Sequence, residues 1–403
     1  MQQTHIWQEA ATQANGFTTL SVTIEQPKQI SSRLWYRIPS EYDSHLTKSC
    51  DPFVVATIFL AMQQPTNIVV HGSVSPSLLQ NLAEFQAVWS CWRPQRYRQV
   101  EITAEVEWEQ PKGNTDKSIA AFSGGVDGCF TVWRHRMEQC GRWQRNIQAG
   151  LMVHGFDIPL EQEQIFKRAA QKSKVMLASL GVELIPITTN FRELAQDWED
   201  AFGTGIASCL MLLQGCYTAG LIGSSDPYHA LNLPYGSNPI TDPLLSSQAF
   251  QIICDGANFT RLQKVQAIAN WQEALANLRV CWQGSQPDKN CGQCEKCIRT
   301  ILNFRVLGLG LPPCFEQDVT DQQILGIQGL SKAQLIELEP ILEAAKAADI
   351  SDSWMKALDL CIKQHQRAEL QKKYRQALRQ QLPAPIKAGI RQLRSLLTRK
   401  SKN

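Results

Sequence analysis

Residues 118–130 read "SIAAFSGGVDGCF", and the fold turns on them. "SIAAFS" is a short, almost wholly apolar run, the signature of a strand buried on both faces. Ser123, Gly124 and Gly125 end it abruptly. Directly behind them, "VDGCFTVWRHRMEQCG" (126–141) has the spacing of a helix, with Gly141 as its stop. A strand that turns through glycines into a helix leaves unpaired N–H donors and a positive dipole end at the strand's carboxyl terminus. Glycine also lets backbone amides approach a ligand closely. The result is a cradle for an anion, phosphate best of all. No lysine follows the glycines, so this is not the GxxxxGK[ST] loop. A carboxylate, Asp127, stands there instead, where it could help hold a magnesium ion bridging phosphates. The plainer reading is a tight βα turn with Asp127 as helix cap.

Outward from this loop the rhythm repeats. "AGLMVHGF" (149–156), "VELIPIT" (182–188), "LIGSS" (221–225) and "FQIIC" (250–254) are further apolar strands. Helical stretches separate them: 159–181, 190–202, 205–220, then 260–271 after the last strand. This predicts an α/β fold, a parallel five-stranded doubly wound sheet with helices on both faces, over 116–312. Ligands of such sheets sit at the carboxyl ends of the strands. "GTGIAS" (203–208) looks like a dinucleotide fingerprint but joins helix to helix.

A smaller α+β module precedes the sheet over 1–115. Its strands are expected at 17–26, 32–39, 66–74 and 97–109, and its helices at 51–64 and 75–92. Asp51 is the expected cap of the first helix, with Pro52 at its first turn. "EQPKGNTDK" (109–117) reads as the linker. From 313 to 403 the chain is expected to be a helical extension ending in a basic tail. From Lys363 onward, twelve basic residues face the single acid Glu369, a net +11 against −8 for the rest. Leu378, Leu382, Ile386, Ile390, Leu393, Leu396 and Leu397 run among those charges. Such a stripe suits an acidic protein or an anionic membrane surface better than nucleic acid, on which the leucines would be wasted. A helix docked on its own domain is the bland alternative, and a homodimer is left open.

Hydrophobic content of 43% and charged content of 19% exclude a disordered chain. "FVVATIFLAM" (53–62) is about half of a membrane span, and "MQQTHIWQEA" has no secretory pattern, so a cytoplasmic protein is expected. Nine of thirteen cysteines are scattered among apolar segments, as buried small residues in a reducing compartment. The other four, Cys281, Cys291, Cys294 and Cys297, follow C-x9-C-x2-C-x2-C. Four thiolates so close match a closed, structural Zn2+ site. An iron–sulfur cluster or a redox pair competes.

"SGGVDG" resembles the SGGxDS loop of the PP-loop ATP pyrophosphatases, within the adenine-nucleotide α-hydrolase-like fold. Together with "NCGQCEKCIRT" (290–300), the likeness sharpens toward the 7-cyano-7-deazaguanine synthases and covers about 118–305. It implies an enzyme that cuts ATP between the α- and β-phosphates, adenylates a substrate oxygen and passes the activated group to ammonia or an amine. It assigns the loop Ser123, Gly124, Gly125, Val126, Asp127 and Gly128 to ATP, with Asp127 on Mg2+. Lys264, and beside it Arg261, falls where the family carries a basic residue for phosphate. Asp242, with Tyr235 and Ser237, falls in the substrate loop. His154 and Asp157, at the end of the second strand, are expected to project into the nucleotide cleft. Gly128 departs from the pattern, which has serine or threonine there. The missing hydroxyl would cost about 1–3 kcal/mol if it met a charged oxygen. The first module and the tail have no counterpart in those enzymes, so the substrate is expected to differ. An RNA-modifying enzyme, with Cys129 as the thiol beside the loop, and a nucleotide binder impaired by Gly128 are the rival readings.

Overall fold

The computed structural model describes residues 2–381 apart from 114, 195, 282 and 285. The leucine stripe of the tail from Leu382 onward lies outside the described residues. The chain forms two compact units, Met1–Asp318 and Val319–Asn403.

The first unit opens with β1 (Gln3–Gln8), β2 (Thr12–Ala14), β3 (Phe17–Glu25), β4 (Ser32–Pro39), α1 (Asp51–Gln63), β5 (Asn67–Val74), α2 (Pro76–Trp92) and β6 (Ile102–Glu107). It continues with β7 (Lys117–Ala121), α3 (Val126–Arg136), β8 (Asn146–His154), α4 (Glu163–Ser179), β9 (Glu183–Thr189), α5 (Trp198–Met211), β10 (Ala219–Gly223), β11 (Gln251–Asp255), α6 (Arg261–Ile268), α7 (Gln272–Asn277) and α8 (Glu295–Val306). Among the described residues all the strands share one sheet in the order β11-β10-β7-β8-β9-β4-β3-β1-β5-β6, with β2 beside β3.

The five expected strands are present, and β11-β10-β7-β8-β9 are mutually parallel. They do not make a sheet of their own, which corrects the sequence reading. β4 pairs antiparallel with β9 through Tyr36↔Thr189 and Arg37↔Thr188, and the sheet runs on into the N-terminal strands as one mixed sheet of eleven. Side chains finish this seam. Asn190 Oδ1 accepts from Trp35 N at 3.0 Å, its Nδ2 donates to Arg33 O at 2.8 Å, and Thr189 Oγ1 donates to Trp35 O at 2.8 Å. β1 runs through the middle of the N-terminal half, between β3 and β5.

The two halves bury their strands differently. In the parallel half successive residues face different cores. Ala149, Leu151, Ile185 and Ile187 belong to the main cluster, while Met152 and Leu184 pack with Phe166 and Ala169 of α4. Helices therefore cover both faces. In the N-terminal half alternate residues (Leu34, Tyr36, Ile38; Val22, Ile24; Ile68, Val70) enter the same main cluster. One core thus crosses the seam. α1 is buried from Asp51 to Met62, as an internal helix that is apolar all round. Its cap is Cys50. Asp51 instead accepts from Ser75 N at 2.8 Å and Ser75 Oγ at 2.7 Å, tying α1 to the start of α2.

β7 and β10 are neighbours, and the chain leaves them for opposite sides of the sheet: β8 and β9 lie beyond β7, β11 beyond β10. This is a topological switch point, where a crevice opens at the carboxyl ends of the strands. The second unit contains α9 (Asp321–Leu325), α10 (Lys332–Ala347) and α11 (Ser353–Gln381), with Leu338, Ile341, Leu358 and Cys361 buried. Among the described residues no helix is long and apolar enough to cross a membrane.

Candidate functional site

The glycine loop sits at that switch point. β7 ends at Ala121, and Phe122 N donates to Leu151 O at 2.8 Å, still in strand geometry. Gly124 then takes φ +78°, a left-handed conformation that disfavours any side chain. Gly125 is the residue before α3, and no side chain caps that helix, so its first-turn amides are left for a ligand. Asp127 is inside the first turn and is not the cap. Gly223, at the end of β10, lets the helix start approach. A Cβ there would lie 2.7 Å from Asp127 O. A Cβ on Gly128 would meet Ala121 O at 3.2 Å, so a serine at this position presses on the end of β7.

Two cations hold Asp127, and a third stands near it. Lys264 Nζ donates to its Oδ1 at 3.0 Å and also to Ser224 O, while Arg261 Nη1 donates to Oδ2 at 3.3 Å. α6 delivers both, starting from a capping box of Thr260 and Gln263. Lys264 is only 1% exposed and Arg261 6%. Burial pushes the Asp127 carboxyl up, but Lys264 and then Arg261 outweigh it and hold the group below its ordinary 3.8. Lys296, from the first turn of α8, faces the same place. Burial and then Arg261 pull its ammonium below its ordinary value, against the attraction of Asp127.

Apart from Lys264, which is buried outside the lining, these groups form one end of a cleft of about 840 Å³, lined by Ser123, Gly125, Val126, Asp127, Gly128, Arg261, Arg279 and Lys296. An aromatic wall lines the same cleft. Phe156, Trp198, Phe202 and Tyr235 form it, with ring centroids 5.1 Å apart for Phe156–Trp198 and 4.9 Å for Phe202–Tyr235. Arg192 lies over the Trp198 ring at 4.3 Å. The basic groups thus suit an anion and the aromatic wall a planar ring.

The remaining expected residues separate into two groups. Asp157 is in the cleft lining, and its Oδ2 accepts from Arg279 Nη2 at 3.4 Å. Tyr235 and Ser237 also line the cleft. His154 is 3% exposed, stacked on Phe166 at 4.5 Å, with Nε2 3.0 Å from Pro159 O. Burial lowers its pKa. It holds the loop after β8 together. Asp242 is fully buried and accepts from Ser237 Oγ at 2.7 Å and Asn238 N at 3.1 Å. Burial pushes it up to about 7, against the pull of those two donors. It shapes the turn that presents Ser237. Cys129 has no exposed surface, and burial raises its thiol well above the ordinary range. Sequence reasoning missed Arg279, Lys296 and the aromatic wall apart from Tyr235. Only the i, i+4 spacing of Trp198 and Phe202 carried a signal.

The four cysteines converge. Their sulfurs all lie within 4.8 Å of one another, with 3.7 Å between Cys281 and Cys294 and 3.8 Å between Cys291 and Cys297. These separations are far beyond a disulfide. A tetrahedron of sulfurs with Zn–S near 2.3 Å has edges of roughly 3.8 Å. The cluster could therefore hold one metal ion and is compatible with Zn2+. Gly292, at φ +69°, makes the tight turn after Cys291, and Cys294 and Gln293 amides point at its sulfur from 3.3 and 3.5 Å. Asn290 closes the site's backbone: its Oδ1 accepts from Val280 N and Cys281 N, and its Nδ2 donates to Leu278 O and Cys314 O.

Comparison of the chain with protein-family models, with curated proteins and with solved structures returns no match.

Proposed function

We propose that this chain is an ATP-dependent ligase of the PP-loop type, forming AMP and pyrophosphate. It would adenylate a carboxylate or carbonyl oxygen for attack by ammonia or an amine. The observation that carries this reading is the uncapped start of α3 at the switch point, flanked in the cleft by Arg261 and Lys296, with Lys264 buried against Asp127. In the reaction the acceptor oxygen attacks the α-phosphorus, and the bond to the oxygen bridging to the β-phosphate breaks. Pyrophosphate leaves with the charge that develops on it. Fixed amides and cations aimed at that charge favour the transition state over the bound ATP. The amine then attacks the activated carbon, a proton is lost from nitrogen, and AMP departs. The aromatic wall would hold a planar ring while this happens.

Mg2+ would be held here mainly by phosphate oxygens, since Asp127, the carboxylate within the loop, already faces two cations. When bound, the ion would neutralise phosphate charge. The chemistry is similar to that of the 7-cyano-7-deazaguanine synthases. The acceptor should be the chain's own, because β1 to β6 and their helices have no counterpart in that likeness. An RNA-thiolating enzyme would need an accessible sulfur beside the loop, and the burial of Cys129 argues against it. The test is incubation of the purified chain with α-labelled ATP, Mg2+ and candidate acids with ammonia. AMP appearing only with an acceptor supports the reading. ADP as product defeats it, and ATP binding without turnover on any acceptor favours an impaired binder.

A further inference from the structure

The four-cysteine cluster and the anion loop share a wall. Arg279 stands two residues before Cys281 and touches the loop twice. Its backbone N donates to Gly124 O at 2.8 Å and its Nε donates to Ser123 O at 3.0 Å. The same guanidinium donates to Pro287 O at 3.2 Å, inside the stretch between Cys281 and Cys291. It also reaches Asp157 at 3.4 Å. Lys296 is the residue before Cys297, in a helix whose cap is Cys294, and it lines the same end of the cleft. So two cations of the anion end are carried on the backbone that the cysteines gather, and one of these residues, Arg279, holds both carbonyls of the glycine turn.

We propose that the metal state of the four-cysteine site governs anion binding in the cleft, through Arg279 and Lys296. Four thiols gathered on one ion fix both Cys281 and the start of α8, hence the positions of both cations. Without the ion, four close sulfurs lose what holds them together. The stretch has a second attachment, because Asp288 accepts from Arg168 Nε at 2.8 Å and Nη2 at 3.1 Å and its carbonyl accepts from Lys172 at 2.7 Å. That anchor to α4 keeps the far side in place. The brace on Ser123 and Gly124 is what slackens. Arg279 is thus a positioning residue for the loop. The inference rests on the proposed function only for the identity of the anion.

The experiment uses the full chain, zinc-loaded, stripped by chelation and reloaded, with inorganic pyrophosphate as the probe. Two readouts are followed: pyrophosphate affinity by calorimetry, and amide hydrogen exchange across 122–128. Stripping should weaken pyrophosphate about tenfold or more and speed exchange of the loop amides, with β8 and β9 still protected. Reloading should restore both. Arg279→Ala with zinc bound should reproduce the faster loop exchange, and stripping that variant should add little more. Unchanged loop exchange on stripping, or effects of Arg279→Ala and stripping that simply add, overturn the proposal. Should the stripped chain unfold, the zinc-loaded Arg279→Ala variant decides: slow loop exchange in it also overturns the proposal. If the zinc-loaded chain binds pyrophosphate but not ATP, the proposed function falls and the two readouts still decide the coupling; if it binds neither anion, the proposal falls with it.

Discussion

Lys264→Met is the most informative single substitution at the anion end. Methionine keeps the buried stem and removes the ammonium that donates to Asp127 and to Ser224 O. Breaking a fully dry ion pair costs about 3–5 kcal/mol, mostly through the charge left behind. Here Asp127 keeps Arg261 at 3.3 Å, and its side chain is 22% exposed. Both soften the loss, to about 2 kcal/mol. The pH dependence identifies the cause. Asp127 is held below its ordinary 3.8, so its contribution is present above that value and is lost as pH falls through the lower folded one. In the variant, burial meets one cation fewer and the carboxyl titrates higher. The stability gap between wild type and variant should then be widest near neutrality and narrow as pH falls below 3.8, through the lower folded value. Urea midpoints at both pH values measure it, with pyrophosphate affinity at neutral pH as a second readout, expected to fall. A gap under about 0.5 kcal/mol at neutrality, or equal at both pH values, would refute the reasoning.

Gly128→Ser gains up to about 0.5 kcal/mol of helix propensity and crowds Ala121 O at 3.2 Å, so the melting temperature should stay within a few degrees and turnover should persist. Lost turnover at unchanged melting temperature would show that the loop has no room for a side chain there. Asp242, raised to about 7 by burial, contributes stability that is full below its ordinary 3.8 and lost as pH rises through 7. Asp242→Asn should flatten that decline, which is on the order of 4 kcal/mol between about pH 4 and pH 8. A variant whose stability still falls across that range shows that another group is responsible. Metal analysis should find one zinc per chain, and Cys294→Ser should lower the melting temperature. Iron in the protein, or full stability after complete chelation, would count against a zinc site.

The parallel half of the sheet was legible because its strands are mostly apolar and a glycine follows or ends four of the five, β9 being the exception. The loop and the cysteine spacing were legible for a different reason: few residue types can do their work. What escaped is adjacency. Nothing in "SRLWYRIP" announces that Tyr36 and Arg37 will lie beside Thr189 and Thr188. β1 was invisible because "QTHIWQ" buries only Thr4 and Ile6, too few for a pattern. His154 and Asp242 look chemical in a sequence. Only burial and partners reveal that they hold loops, while Arg279 looks ordinary until its contacts with Ser123 and Gly124 are seen.

The seam between β4 and β9 has a practical consequence for anyone wishing to cut the chain into parts. Two residue pairs and the side chains of Thr189 and Asn190 join the halves there. A fragment beginning near residue 116 would leave β9 as a bare edge, its N–H and C=O groups open to any other strand. It would also strip the main core of everything that Leu34, Tyr36 and α1 supply. Such a fragment should aggregate on expression. Charged or proline substitutions along Glu183–Thr189 would be the way to rescue it, at the expense of the cleft edge that Thr189 helps to line.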